Sequence, residues 1–420
     1  GYNSLSSNTI GNSNVAIGKY SMLVNVAADR NVAVGLGTLQ NMTSATTADT
    51  YNTAVGYAAG IAITTGTTTT LLGGFAGTAL TTATENTALG YSALGAATTS
   101  ARNVAVGTLA LGSGVMNTGT NTYNVAVGFY AGKAITTGVQ NTIIGGLAGD
   151  ALTSGGENVA IGYGALSTED AHGQNVAVGH NALASLNAGA NALNTAVGYN
   201  AGFAVTTGVE NNLLGGLAGD ALTTGSYNVA IGKAALSTED TGSRNVAIGS
   251  RALNTLNYDG NGYNIAIGYD AGLNMTTGTE NTLIGGLAGD AITTGIENTL
   301  IGLNAGTSLV ESSRNVAIGH NALSTQVSNN GSVAIGWRAL YVANTSATPN
   351  NVAVGYGAGV AVSTGVNNTI LGSLAGDALT TGDNNIIIGV NAAASAVDVD
   401  NETVIGTATT TNAVVHGLRT

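Results

Sequence analysis

Residues 156–170 read GENVAIGYGALSTED and residues 225–240 read GSYNVAIGKAALSTED, so nearly the same line returns seventy positions on. The kernel of that line is an Asn, a short apolar run and a Gly (Asn158 to Gly162), and it recurs from one end of the chain to the other. Taking the closing Gly of each kernel, from Gly18 to Gly406, gives 23 units. Of the 22 intervals between them, 17 are seventeen residues long and the rest are 19 or 21. The residue before the Gly is Ile, Val or Leu in all 23, the residue four before it is Asn in 20, and the residue three after it is Ala in 20. A short fixed period of this kind is the signature of stacked coils in which each repeat contacts its neighbours.

A longer order lies above the first. The long intervals end at Gly56, Gly128, Gly198, Gly268 and Gly355, so insertions at 38–51, 110–123, 182–193, 252–263 and 339–350 mark blocks of four coils, the fourth block carrying one extra. Duplication of a four-coil block is the simplest origin. The array is expected to run continuously over 1–406. Residues 407–420 are expected to be an exit segment leading to a following module, because ETVIGTATTTNAVVHGLRT (402–420) loses the Ala and Gly of the repeat.

The unit is too short for a helical hairpin. Val159 and Ile161 lie two apart, the period of a strand, and Gly162 ends the strand where the chain must turn. In the first two coils of most blocks a second Gly follows ten residues later (Gly66, Gly138, Gly155), so each coil reads as two short strands and two turns. The predicted fold is all-β: a parallel β-solenoid of about 23 coils at ~17 residues each, stacked ~4.8 Å apart into a rod about 110 Å long. The aliphatic pair is expected inside, and the Asn column is expected to form a turn ladder along the stack.

That leaves Ala16, Ala33, Ala160, Ala230 and Ala247 on the outer face of the strand, and Leu71, Ile143, Leu213, Leu283 and Ile370 on the same face in the second coil of each block. An apolar outer face calls for cover, and a second copy is the simplest cover, so these five residues are the candidate oligomer interface.

Composition agrees with an ordered, repetitive chain: 64 Gly, one Pro, no Cys, 44% hydrophobic and 8% charged residues among 420. A net charge of −12 with ten basic residues disfavours nucleic acid as a partner. No stretch approaches the ~20 apolar residues of a membrane span, so this segment is not expected to insert. Without Cys there is neither a disulfide frame nor a thiolate metal site.

The strings NVAIGKYS (14–21), NVAIGSRAL (245–253), NVAIGHNAL (315–323) and, nearest, GSVAIGWRA (331–339) resemble the YadA-like head repeats of trimeric autotransporter adhesins. The resemblance covers the whole array. It implies a left-handed parallel β-roll, three chains side by side, and adhesion as the role. The coils here are longer than the family's usual ones, and arrays of the NTAVGY type are also similar to phage tail-fibre proteins. The implied location is extracellular, on a virion tail or a bacterial surface, with a cell-surface glycan or protein receptor as partner besides the chain itself.

Chemistry finds little support. His172, His180, His320 and His416 lie far apart, and no Ser–His–Asp pattern surrounds them. GGLAGD does not lead a strand into a helix, so it is no phosphate loop. Asp150, Asp220, Asp290 and Asp377 share one column and are weak calcium candidates, with a solvated turn acid as the competing reading. The TTG turns (Thr64–Thr65, Thr206–Thr207, Thr276–Thr277) raise an ice-binding alternative, although adjacent Thr residues point to opposite faces. A glycan-cleaving tail spike would need paired carboxylates about 5–10 Å apart. No enzyme activity and no cofactor are expected.

Aromatic residues gather just after the repeat Gly: Tyr57, Tyr91, Phe129, Tyr163, Tyr199, Tyr269, Trp337 and Tyr356. Rings on a turn are platforms for sugars or a partner protein. Tyr57, Phe129, Tyr199, Tyr269, Tyr356 and Trp337 are therefore candidate ligand contacts, and packing between coils is the competing reading. Tyr51, Tyr123, Tyr258 and Tyr263 in the insertions are further candidates.

Overall fold

A computed structural model describes residues 1–43, 48–117, 119, 121–325, 327, 330–342 and 348–409. Most of the expected exit segment, with His416, and parts of the insertions at 38–51, 110–123 and 339–350 lie outside the described residues. The chain divides into two units, Gly1–Asn211 and Asn212–Thr420. Each is an all-β parallel solenoid of about seventeen residues per coil. In the first unit eleven three-residue strands pair in sequence from Val15–Ile17 to Thr195–Val197, and in the second twelve run from Asn212–Leu214 to Thr403–Ile405.

The register follows the repeat: Val159 pairs with Val176, Ala160 with Ala177 and Ile161 with Val178. Insertions leave it intact, since Val176 pairs with Thr195 across a nineteen-residue step. Hydrogen bonds run both ways along the stack. Val159 N–H donates to Asn175 O (2.8 Å) and Leu166 N–H to Ala182 O (3.0 Å), while Gly162 N–H donates back to Ile144 O (2.7 Å) and Gly164 N–H to Gly146 O (3.0 Å).

Each coil contributes one strand to its sheet, not two. Within the third coil of the second block the backbone is left-handed at Glu157 (φ 59°), Gly164 (φ 62°) and Leu166 (φ 53°), with Gly162 at φ 135°. So many corners leave only three consecutive extended residues. Elsewhere, among the described residues, extended pairing is confined to Ala28–Asp29 with Ala48–Asp49 and two single bridges, Ala101 to Asn121 and Ser243 to Asn261.

The faces of the strand are also the reverse of the expectation. Ala33, Ala160, Ala230 and Ala247 are fully buried within one chain, and the flanking Val and Ile point outward. Leu71, Ile143, Leu213, Leu283 and Ile370 are likewise buried inside their own solenoid, so they are core residues and not an interface between chains. The reason is width. A seventeen-residue coil brings the middle of the strand against its own opposite wall, and only one row of side chains fits between.

In the second and third coils of a block, volume is traded across that row. Where the strand centre is Ala160 or Ala230, Leu166 or Leu236 sits four residues beyond the repeat Gly. Where the centre is Leu213, that place is Gly219, whose Cβ, if present, would lie 2.9 Å from Leu213 Cδ2 and 2.8 Å from Leu222 Cδ1. The inverted pattern in second coils is thus close packing, a core filled by large and small residues in turn.

The Asn column is buried at the entry to each strand. Asn141 Nδ2 donates to Asn124 Oδ1 (3.1 Å) and to Gly155 O (2.9 Å), and its Oδ1 accepts from Asn158 N–H (3.0 Å). A polar ladder can be interior here because each amide spends its donors and acceptor on neighbours one coil away.

Candidate interaction surface

The outward side chains of each strand form two parallel columns, mostly Val or Thr at its first residue and Ile, Val or Leu at its third. These columns are half-buried. Ile144, Leu214 and Ile265 keep 37–38% of their surface exposed, more than a well-packed aliphatic side chain keeps. A corner borders them on each side.

The corner after the strand carries the expected rings. Tyr57, Phe129, Tyr199, Tyr269 and Tyr356 are 51–58% exposed, while Trp337 is half-buried. The rings also pack between coils. Trp337 stacks on Tyr356 at 4.6 Å, Phe75 meets Tyr57 at 5.0 Å and Tyr91 at 5.8 Å, and His180 stacks between Tyr163 and Tyr199 at 5.5 Å from each. Tyr269 instead has the Arg251 guanidinium 5.4 Å from its ring centre. Arg251 Nη2 bonds the Tyr269 hydroxyl (2.7 Å) and buried Asp270 (2.5 Å).

The corner before the strand holds the insertion candidates Tyr51, Tyr123 and Tyr263, and with them a set of charged residues. The residue preceding each Asn adopts a left-handed conformation, whether it is Arg30, Glu85, Tyr123, Arg244 or Arg314, and this throws its side chain outward. Arg102 donates to Glu85 Oε2 (2.8 Å) and to the Tyr123 hydroxyl (2.7 Å). Those hydrogen bonds raise the Arg102 pKa and hold the Glu85 carboxyl below its usual range. Arg30 bonds Asp49 and the Tyr51 hydroxyl, and Arg314 bonds Glu297 at 3.1 Å. Arg244 lies 5.1 Å from the Tyr227 ring and 5.9 Å from Tyr263. Exposed pairs of this kind add little stability in water. The signal was present as a column of long polar or aromatic residues directly before Asn.

The acidic candidates do not converge. Asp220 and Asp290, or Asp290 and Asp377, are four or five coils apart along the chain, so one cation cannot bridge them. Burial raises the carboxyl pKa of Asp150, Asp220 and Asp290, and Asp377 is exposed. Among the described residues one group brings three metal-ligating side chains within 4.8 Å, namely Glu169, Asp170 and His172.

Glu169 and Glu239, the acids of the two STED strings, are functional-site residues that the sequence did not mark. Both are fully buried, in the core column that Leu152 and Leu222 occupy one coil earlier. Glu239 Oε1 accepts from Gly242 N–H (2.7 Å) and Oε2 from Tyr258 N–H (3.3 Å), so the carboxylate ties its own turn to the next insertion. Glu169 does the same for His172 and Ala188.

Burial pushes the Glu239 carboxyl pKa up. An acid whose pKa is raised by folding favours the folded state below its ordinary pKa and loses that contribution as pH climbs through the folded value. Glu239→Gln should therefore gain on the parent as pH rises from about 4 to about 7 in urea titrations. An unchanging difference across that range would contradict the burial effect.

In the TTG turns the first hydroxyl is used internally: Thr64 donates to Thr81 O (3.3 Å) and Thr276 to Thr293 O (3.2 Å). Thr65, Thr137, Thr207 and Thr277 are exposed, and in the last of these turns Thr276 is exposed as well. Among the described residues no helix is long and apolar enough to cross a membrane. No protein-family model matches the chain, and no curated protein is similar to it.

Proposed function

We propose that this chain is a non-enzymatic segment of an extracellular fibre, assembled as a side-by-side homotrimer of left-handed rolls. Its role is attachment to a cell-surface glycan or protein receptor, as in a phage tail fibre or the head of a bacterial trimeric adhesin. The observation that carries this reading is the strand face, where half-exposed Val, Ile and Leu repeat coil after coil between an aromatic corner and an Arg/Tyr corner. An apolar centre with aromatic and Arg residues around it is the anatomy of a protein–protein interface. The resemblance to YadA-like heads supplies the number three, and the exposed rings supply the receptor contacts.

Light scattering on the purified chain tests the assembly. The expected mass is three times the 41.0 kDa of one chain. A folded, monodisperse 41.0 kDa species would remove the basis for a fibre of this kind.

A further inference from the structure

Arg251 and Arg338 hold the same place in their coils, two residues after the repeat Gly, and each coil is the last before an insertion. Both residues are left-handed, at φ 57° and 52°. In both cases the next coil lies nineteen residues on, and its registry is the same: Asp270 N–H donates to Ser250 O (3.1 Å) and Gly357 N–H to Trp337 O (2.8 Å). Asp270 and Gly357 therefore occupy equivalent places, with the same left-handed backbone (φ 56° and 60°). Their side chains differ. Asp270 sets a carboxylate 2.5 Å from Arg251 Nη2, whereas Gly357 offers Arg338 no acceptor and leaves the space open.

Arg338 is held in position all the same. Its guanidinium carbon lies 4.0 Å from the centre of the Tyr341 ring and 5.1 Å from that of Trp337. Rings hold a guanidinium by its faces, so the N–H edge is what remains for bonding. Among the described residues no acid pairs with Arg338, and its Nε is buried without a hydrogen-bond partner. A fixed cation with unspent donors is a receptor for an anion, and its planar fork matches a carboxylate.

We infer that Arg338 binds the carboxylate of an acidic sugar, a uronic or sialic acid, in the place that Asp270 fills beside Arg251. This rests on the receptor attachment proposed above and names the chemistry of the ligand. The equivalent coil pair shows that the place takes a carboxylate. The neighbouring ring points to a sugar. Tyr356 directly precedes Gly357, is 51% exposed, and stacks on Trp337 at 4.6 Å by one face. Its column continues in the next coil with Ser373, a side chain too small to cover the other face. A pyranose whose carboxylate lies over Gly357 meets that ring with its C–H face, and keeps its hydroxyls in water.

Trp337 is the only tryptophan of the chain, so its fluorescence reports on the site. Titration of the full-length protein with D-glucuronate and with N-acetylneuraminate should give a saturable change with at least one of them. D-Glucose and acetate, each with half of the ligand's chemistry, should bind at least about tenfold more weakly. Arg338→Gln should weaken the acidic sugar by at least about tenfold. Gly357→Asp should do so by another route, since it supplies the carboxylate from within while keeping the cation. A Cβ there meets only the flexible tip of Leu374, at 2.9 Å. No response to either sugar acid, acetate binding as tightly as the sugar, or undiminished binding by Gly357→Asp overturns the inference. The parent's preference for the sugar acid over acetate decides the case even where a variant does not fold. Light scattering reports the fibre separately: a 41.0 kDa species that still binds the sugar acid removes the assembly and leaves the site standing.

Discussion

Gly162→Ala should cost about 3–5 kcal/mol and open the stack around that coil. Gly162 has φ 135°, a conformation open in practice to glycine alone, and a Cβ there would lie 2.3 Å from Gly179 O and 2.6 Å from its carbonyl carbon. Both contacts are backbone, so no rotamer change relieves them. The neighbouring coil would have to move away, and the bonds from Gly162 N–H to Ile144 O and from Gly164 N–H to Gly146 O would be strained together.

In a solenoid each coil contacts its neighbours, so the damage should stay local. Hydrogen exchange should show lost protection over the coils closed by Gly145, Gly162 and Gly179 and native protection several coils away. Gly189→Ala is the control, because a Cβ there meets nothing within 4 Å and should change stability by less than about 0.5 kcal/mol. Equal effects for the two substitutions would mean that the repeat Gly is not required by its backbone.

Asn141→Ala should be comparably damaging, at roughly 3–5 kcal/mol, for a chemical reason and not a steric one. The substitution leaves Asn158 N–H and Gly155 O without these side-chain partners and takes one of two donors from Asn124 Oδ1, which keeps the Asn141 N–H. Each buried group left unsatisfied costs about 1–3 kcal/mol. Asn141→Ser should recover part of the loss, since Ser332 fills this column fully buried and a hydroxyl can both donate and accept where a methyl cannot. Urea titrations of the two variants distinguish the cases. If Ala is tolerated as well as Ser, the ladder is not a source of stability.

Much of this architecture was legible in one dimension. The seventeen-residue period, the Gly corner and the Asn ladder each demand a residue type at a fixed offset, and such demands survive as columns in the sequence. The candidate surface was legible only in half. Tyr57, Phe129 and Tyr269 stood out because aromatic residues are scarce, whereas Arg30, Glu85 and Arg102 are charged residues of a kind any solvated turn carries. Nothing in one dimension marks Glu169 and Glu239 as buried, because the burial of a carboxylate depends on the wall opposite.

What the sequence determined alone is the repeat itself: its length, its turn residues, and hence a parallel stack of short strands. Periodicity of two cannot tell the inside of a strand from the outside, because alternation is symmetric between the faces. Only the tertiary structure made that choice. The coil has room for one inward residue per strand, so the central residue, Ala160 or Leu213, turned inward and its flanking positions, Val159 and Ile161 or Asn212 and Leu214, became the surface.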